Sequence, residues 1–435
     1  MGKPCGATNF PNQGCAGKKM NLNRFLYQLR LHRDSFSKVA MLWGNSYLGQ
    51  IISFAFVVLL IRDLGLQGFG SYAIAMAIVT LGALAVDCGV GGLFSSYVSN
   101  HRKARNSAKY ELRAIRAVTA SATILVGSVL FTTLSLPVLF IFALAIGAVS
   151  VFEDSWLLQA EGQVRQYVTG DLITRIATFI SWIVISRFEN SPEAAIAAVG
   201  FGFIARSIYT GQRTRIRGKL LSFPQNIGSV FRSAAPIFIS KLLNSTTNQL
   251  TPLIFGLTAP LANVGTFASA DKPIRALQAG ANSYAVFALP KIARHTDTNQ
   301  FVPSIVRHFV AVASLSTGLS LVIFLAAPAI SWLLIGSSDD ALIACIRIMA
   351  LIPVFTSVNN LVTVAITPTI GKTSINLYAS LIGATVLGLV FVVFQGPFSP
   401  QMMALGVVLV EFAITASSVT LTFILLAKSR GERRQ

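Results

Sequence analysis

The sequence predicts an all-α integral membrane protein with about twelve transmembrane helices, arranged as two six-helix lobes around a central cavity. Three observations lead to this fold class. Of the 435 residues, 53% are hydrophobic and only 12% are charged, whereas soluble domains carry about 25% charged residues. Apolar runs of roughly 20 residues, long enough to cross ~30 Å of hydrocarbon, recur along the whole chain. Basic residues are concentrated between alternate runs.

Twelve such runs define the predicted spans. Spans 1 to 6 are 40–61, 71–98, 114–135, 138–159, 167–187 and 194–212, and spans 7 to 12 are 233–257, 262–290, 305–335, 340–367, 374–395 and 401–427. They divide the chain into a disordered cytoplasmic extension (1–37), a first lobe (38–212), a basic cytoplasmic linker (213–232), a second lobe (233–427) and a basic cytoplasmic tail (428–435).

The charge distribution predicts the orientation of the chain. The formal net charge is +19, and with a cytoplasmic N-terminus 26 of the 35 basic residues fall in cytoplasmic segments. The outer loops then hold only Arg62 and Arg187. This asymmetry places both termini in the cytoplasm. It also accounts for the net charge, so we expect no nucleic-acid partner.

Enzyme motifs are missing from the sequence. The four cysteines and four histidines do not cluster, so no metal site is predicted. The sequence has no phosphate-binding loop of the G-x-x-x-x-G-K-[ST] type. No predicted outer loop exceeds roughly ten residues, within the usual boundary error. We therefore expect no catalytic residue and no cofactor.

Span 8 carries a polar stripe that is unusual for a membrane helix. Asp271, Arg275, Gln278 and Asn282 recur at i, i+4, i+7 and i+11, which is one helical face, and Lys272 is adjacent. Ionisable groups within a membrane persist mainly where they face a protein interior or water. The stripe therefore predicts a polar cavity.

Span 7 carries a second polar face, formed by Lys241, Asn244 and Asn248. The helical rise places both faces near the membrane midplane on adjacent helices. Lys241, Lys272 and Arg275 would then give the cavity a positive field that binds a diphosphate. The alternative is that Asp271 and Arg275 form an ordinary i, i+4 ion pair.

Further polar residues lie in the other spans. Asn45 and Gln50 of span 1 and Asp87 of span 2 either form the opposite cavity wall or make ordinary interhelical hydrogen bonds. Asp171 and Arg175, four residues apart, are interpreted as a simple ion pair. Two deep residues of the second half, Arg347 and Glu411, either pair with each other or serve in coupling, with Glu411 as a proton carrier.

The two halves also share a short sequence similarity. Residues 67–75 read QGFGSYAIA and residues 262–270 read ANVGTFASA, which aligns Gly70 with Gly265 at the start of the second span of each half. Repeats of six spans imply a pseudo-twofold axis along the membrane normal. Chance similarity between apolar helices is the alternative.

Several of these segments together resemble one family. They are Asn45-x4-Gln50, residues 64–73 (LGLQGFGSYA), Asp87-Cys-Gly89, and residues 264–268 (VGTFA) with the charged helix that follows. On these residues the chain resembles the Wzx-type polysaccharide-biosynthesis flippases of the multidrug/oligosaccharidyl-lipid/polysaccharide (MOP) exporter superfamily.

The resemblance implies two six-helix lobes, alternating access and a location in the bacterial inner membrane. It implies movement of an undecaprenyl-diphosphate-linked oligosaccharide from the cytoplasmic to the outer leaflet, with membrane lipid, a polysaccharide polymerase and chain-length or export proteins as partners. It also implies a cavity lined by basic residues, for which Lys241, Lys272 and Arg275 are the candidates. The alternatives are a small-molecule or drug antiporter of the same superfamily, a membrane glycan ligase or polymerase, and a non-transporting scaffold.

Overall fold

The structure is a computed structural model that describes residues 22–100, 105–214, 227–293, 301–370, 374–393 and 398–432. The chain forms two compact units, Met1–Met41 and Leu42–Gln435. Residues 22–41 of the first unit are helical, which differs from the disordered extension expected over 1–37. The reason is visible in the sequence, because Leu22, Phe25, Leu26 and Leu29 have the i, i+3, i+4, i+7 spacing of an apolar helix face. Most of the predicted linker and the end of the tail lie outside the described residues.

Helices form nearly all of the described chain. Seven lie before residue 215, and they are α1 (Leu22–Asp87), α2 (Val90–Asn100), α3 (Arg105–Thr133), α4 (Val138–Ser150), α5 (Ser155–Ala160), α6 (Val164–Ile185) and α7 (Pro192–Arg213). Nine follow, and they are α8 (Ile227–Asn248), α9 (Thr251–Gly256), α10 (Leu261–Ala293), α11 (Phe301–Ile335), α12 (Asp340–Met349), α13 (Ile352–Asn360), α14 (Thr367–Thr369), α15 (Ser374–Val393) and α16 (Pro400–Glu432). A π-helical segment, Leu361–Ile366, connects α13 to α14.

These helices follow the twelve predicted spans. Within the described residues, nine helical stretches are long and apolar enough to cross a membrane. One of them, Tyr47–Asp87, covers most of spans 1 and 2, which Gly65 (φ 66°, ψ 177°) separates, and the end of span 2 lies in α2. Spans 7 and 8, which carry the polar faces, correspond to α8 with α9 and to α10. The fold class predicted from the sequence is therefore confirmed.

Large apolar side chains on the outer helices face the surroundings. Leu125 on α3 and Leu325 on α11 are each 68% exposed, and Val393 on α15 is 71% exposed. In water such a surface would be unfavourable, whereas in a bilayer it contacts lipid chains. The chain is a multi-pass membrane protein.

The two glycine-containing repeats pack directly against each other. A Cβ atom on Gly70 would lie 2.0 Å from the carbonyl oxygen of Leu261, and one on Gly265 would lie 1.8 Å from that of Leu66. The two contacts are equivalent. Leu66 lies four residues before Gly70 and Leu261 lies four residues before Gly265, so each glycine packs against the leucine that precedes the other glycine. Helices approach this closely where small residues meet. The two similar segments therefore meet at one helix crossing, and their relationship as repeats stays a prediction.

α8 connects the two halves of the helix bundle. It packs against α2 from the first half and against α15 from the second. Gly89, with φ 78°, lies in the break before α2, and a Cβ atom there would be 2.7 Å from the carbonyl oxygen of Ala234 on α8. This close approach positions the polar face of α8 against the end of α1.

Candidate functional site

Three cavities hold most of the predicted polar residues. The central cavity, about 490 Å³, is lined by residues that include Gln50, Ser53, Arg175, Lys272 and Arg275. The mixed-charge cavity, about 360 Å³, is lined by residues that include Asp87, Arg116, Glu153, Trp156 and Lys241. The asparagine cavity, about 320 Å³, is lined by residues that include Asn244, Asn248, Asn359, Asn376 and Glu411.

Arg275 lies in the wall of the central cavity and is held by two helices. Its Nε donates to Asp271 Oδ1 at 2.9 Å and to Oδ2 at 3.0 Å, and its Nη1 donates to Asn248 Oδ1 at 2.8 Å. The i, i+4 ion pair therefore exists, and it brings the polar faces of α10 and α8 together. Asp271 holds the guanidinium in place while the guanidinium still lines the cavity.

Lys272 lies beside Arg275 in the same wall. Among the residues that the structure describes, no side chain or carbonyl is within hydrogen-bond or ion-pair distance of its ammonium group. A partly buried ammonium group without a partner is costly unless water or an anion solvates it. Binding of an anion in this cavity would therefore stabilise the ammonium group of Lys272 most.

Arg175 is a third cation in the central cavity, and the sequence interpretation missed it. Its Nε donates to Asp171 Oδ2 at 3.0 Å, so the predicted ion pair is present. Its Nη1 also donates to Ser53 Oγ at 2.5 Å and to the carbonyl oxygen of Gly49 at 3.1 Å. The signal was an ionisable residue within an apolar span, the same feature that singled out Arg275.

Lys241 does not join the other two predicted cations. Its Nζ donates to Asp87 Oδ2 at 2.9 Å, and Asp87 also accepts from Arg116 Nη2 at 2.7 Å. Lys241 lines the mixed-charge and asparagine cavities. The expectation that Lys241, Lys272 and Arg275 converge is wrong for Lys241, because it precedes Asn248, the contact of Arg275, by seven residues, or ~10 Å along α8.

Four of the remaining predicted residues line these cavities. Gln50 lines the central cavity, Asp87 the mixed-charge cavity, and Asn244 and Asn248 the asparagine cavity. Gln278 is only 7% exposed, so it is buried between helices. The side chains of Asn45 and Asn282 lie outside the described residues.

The asparagine cavity contains a buried carboxylate that makes a charge interaction with Arg275 but leaves one oxygen without a hydrogen bond. Glu411 is 3% exposed, and its Oε1 has no hydrogen-bond partner among the described residues. The same holds for the side-chain oxygens of Asn359 and Asn376. Arg347 is exposed and stands 5.3 Å from the centre of the Phe324 ring. The expected pairing of Arg347 with Glu411 is therefore wrong, since no ion pair between them occurs in the part of the chain that the structure describes.

Comparisons with known proteins agree with this fold. The family model described as polysaccharide biosynthesis protein matches residues 36–296. No curated protein matches the chain by sequence. Among solved structures, an inward-facing multidrug resistance MATE family transporter of the MOP superfamily superposes with a TM-score of 0.69 at 11% identity, covering 88% of this chain and 96% of that chain.

Two further solved structures show the same likeness. An outward-facing conformation of a multidrug resistance MATE transporter has a TM-score of 0.61 at 14% identity and covers 91% of this chain and 96% of that chain. A MOP superfamily transporter from Pyrococcus furiosus, described as having a binding pocket of reverse polarity, has a TM-score of 0.55 at 15% identity and covers 90% and 95%. The chain belongs to the polysaccharide biosynthesis protein family and has the fold of MATE transporters of the MOP superfamily.

Proposed function

We propose that this protein is a flippase that moves an undecaprenyl-diphosphate-linked oligosaccharide from the cytoplasmic to the outer leaflet of the bacterial inner membrane by alternating access. The translocated lipid would serve surface polysaccharide biosynthesis. Both termini would lie in the cytoplasm, and a polymerase and chain-length or export proteins would act on the product. Membership of the polysaccharide biosynthesis family and the transporter fold support this proposal.

The observation that carries the proposal is the charge of the central cavity. Its lining contains Arg175, Lys272 and Arg275 and no carboxylate. Asp171 and Asp271, which pair with the two arginines, lie outside that lining, and Lys272 has no ion-pair partner among the described residues. Arg175 comes from the first half of the chain and the other two from the second, so an anion between them contacts both halves. A diphosphate supplies several acceptor oxygens, and guanidinium groups bind such oxygens with strong, charge-assisted hydrogen bonds.

The alternative of a drug antiporter has a specific point in its favour, because solved structures of this fold include multidrug resistance transporters. Organic cations, however, would meet an ammonium group without an ion-pair partner among the described residues, Lys272, beside two guanidinium groups that each have one aspartate partner. We therefore rank the anionic lipid first. Uptake of a cationic dye by vesicles containing the protein would favour the antiporter.

We also propose that Glu411 couples transport to the uptake of a proton or another cation. Its free carboxylate oxygen lies in a cavity rich in side-chain oxygens. Arg275 interacts electrostatically with this carboxylate but leaves one of its oxygens without a hydrogen bond, and binding a proton or cation at that oxygen removes the cost of burying it unsatisfied. Arg347 has no part in this proposal, because its side chain is exposed.

The flippase is tested with purified protein in vesicles that contain a fluorescent undecaprenyl-diphosphate-linked disaccharide. The measurement is the fraction of lipid exposed to a membrane-impermeant quencher over time. Lys272→Gln is expected to slow transport about tenfold, since a hydrogen bond to a charged group contributes about 1.5–3 kcal/mol. The matched control is Lys291→Gln, at the exposed end of the same helix. Equal rates for Lys272→Gln and the control would reject the role of the cavity.

A further inference from the structure

The mixed-charge cavity differs from the central cavity in its charge balance. Its lining holds two carboxylates, Asp87 and Glu153, and two cations, Arg116 and Lys241. Asp87 pairs with both cations, and Glu153 lies 2.7 Å from Arg206. Every charged side chain of this lining is therefore ion-paired within the protein, whereas Lys272 of the central cavity has no ion-pair partner among the described residues. Such a cavity favours an uncharged polar ligand over a diphosphate.

Several polar groups in this cavity have donors or acceptors that form no hydrogen bond within the described part of the protein. In the described part of the chain, neither the hydroxyl of Ser245 nor the side-chain amide of Gln249 has a hydrogen-bond partner, and both line the cavity. Thr80 donates to the carbonyl oxygen of Met76 at 3.1 Å and keeps acceptor capacity on its oxygen. Lys241 uses one of its three donors on Asp87. Sugar hydroxyls both donate and accept, so they complement this mixture.

The cavity also presents an aromatic surface next to these groups. Trp156 and Phe203 belong to its lining. The C–H faces of a sugar ring pack against aromatic side chains, while its hydroxyls reach the polar groups at the side. At about 360 Å³ the cavity has the size of a small-molecule site, for which roughly 300–1,000 Å³ is typical.

The position of this cavity matches the chemistry of the proposed substrate. Gln249 lines both the central and the mixed-charge cavity, so the two adjoin at its side chain. The first sugar of a lipid-linked oligosaccharide is joined to the diphosphate through one oxygen atom. If the diphosphate occupies the central cavity, that sugar has to lie immediately beside it.

We infer that the mixed-charge cavity binds the sugar directly attached to the diphosphate, an uncharged sugar recognised through its hydroxyl groups. This inference depends on the proposed function, because the diphosphate in the central cavity fixes the position of the sugar. It assigns separate tasks to the two cavities. The central cavity binds the part that all such lipids share, and the mixed-charge cavity distinguishes between sugars.

The test measures the affinity of the purified full chain for four probes. They are undecaprenyl diphosphate alone and the same lipid carrying one glucose, one galactose or one N-acetylglucosamine. At least one sugar-bearing lipid is expected to bind about tenfold more tightly than the sugar-free lipid. Thr80→Val with Ser245→Ala is expected to reduce that gain about 3- to 10-fold, as for the loss of one or two hydrogen bonds.

Two filling variants separate the cavities. Ala83 lines the mixed-charge cavity and Ala276 the central cavity. Ala83→Phe is expected to abolish the gain that the sugar provides, whereas Ala276→Phe is expected to weaken the binding of all four lipids. Ser233→Ala, in a groove elsewhere on α8, is the control for folding and handling.

The outcomes distinguish the inference from the proposed function. Equal affinity for all four lipids in the unmodified protein would overturn the sugar site and leave the flippase proposal intact. Equal weakening of all four lipids by Ala83→Phe would do the same. If none of the lipids binds, or if Lys272→Gln leaves the affinity for sugar-free undecaprenyl diphosphate unchanged, the proposed function fails, and the sugar site fails with it.

Discussion

The backbones of α1 and α10 pack against each other at Gly70 and Gly265, a contact called here the glycine crossing. Adding one methyl group at this crossing is expected to change the conformational equilibrium of the protein. In Gly265→Ala the new Cβ atom would lie 1.8 Å from the carbonyl oxygen of Leu66, whereas ordinary contacts begin at 3.4 Å. The two helices therefore have to separate by about 1.6 Å at this point. The atoms that this Cβ would meet belong to the backbone of Leu66 and Gly70, so no side-chain rotation relieves the clash.

The size of the effect follows from the cost of overpacking. Inserting a methyl group into a closely packed contact typically costs about 1–3 kcal/mol, which changes a two-state equilibrium about 5- to 150-fold. The predicted topology places the crossing at the outer end of the helices. The substitution should therefore disfavour the state in which this end is closed and favour a state in which it is open.

The assay measures the distance between two spin labels in a protein whose four native cysteines are replaced. The labels are attached at Gln67→Cys and Ala262→Cys, two exposed positions beside the crossing. Gly265→Ala is expected to increase the population with the longer distance. Gly318→Ala on α11 is the matched control, because a Cβ atom there meets nothing within 4 Å. A distance distribution identical to that of the parent protein would refute this explanation of the crossing.

Three further predictions concern the cavities. Gly49→Ala places a Cβ atom 2.9 Å from Arg175 Nε and should displace that guanidinium. We expect this to weaken the binding of undecaprenyl diphosphate about 3- to 30-fold. Gly44→Ala, which has open space around its Cβ atom, should leave the binding unchanged. Asp87→Asn should lower the free energy of unfolding in detergent by about 3–5 kcal/mol, because Arg116 loses its buried partner. Lys241→Gln should lower it by no more than about 1 kcal/mol, because the side chain of Lys241 is 44% exposed. Equal losses in the two variants would contradict this assignment. Glu411→Gln should make transport in vesicles independent of an imposed proton or sodium gradient, and retention of the full gradient dependence would exclude Glu411 as the coupling group.

The sequence was sufficient to predict features that depend on local patterns. Hydropathy predicted twelve spans, because a helix in a membrane needs a continuous apolar run. Nine helical stretches of the described residues meet that requirement, and they include spans 1 and 2 as one stretch but not spans 7 and 8. The i, i+4 spacing predicted the ion pairs of Arg275 with Asp271 and of Arg175 with Asp171. The glycine repeats predicted two equivalent segments, although not that Gly70 and Gly265 pack against each other.

Features that depend on contacts between distant helices were not predictable in the same way. Lys241 and Asp87 are separated by 154 residues, and no spacing rule connects them. The same is true of Arg175 and Ser53, which are 122 residues apart. The sequence therefore identified charged residues within predicted spans, but it grouped Lys241 with Lys272 and Arg275, although Lys241 lines other cavities, and it left Arg175 out of the proposed site.

The most direct test of the central claim is a photo-crosslinking measurement with undecaprenyl diphosphate. A photoreactive amino acid is placed at Ala276, which lines the central cavity, or at Leu277, the next residue on α10, which is 40% exposed. We expect crosslinking to undecaprenyl diphosphate at position 276, suppression of that product by Lys272→Gln, and little product at position 277. Equal crosslinking at both positions, or a yield at position 276 that does not depend on Lys272, would contradict the assignment of the central cavity as the site of the anionic headgroup.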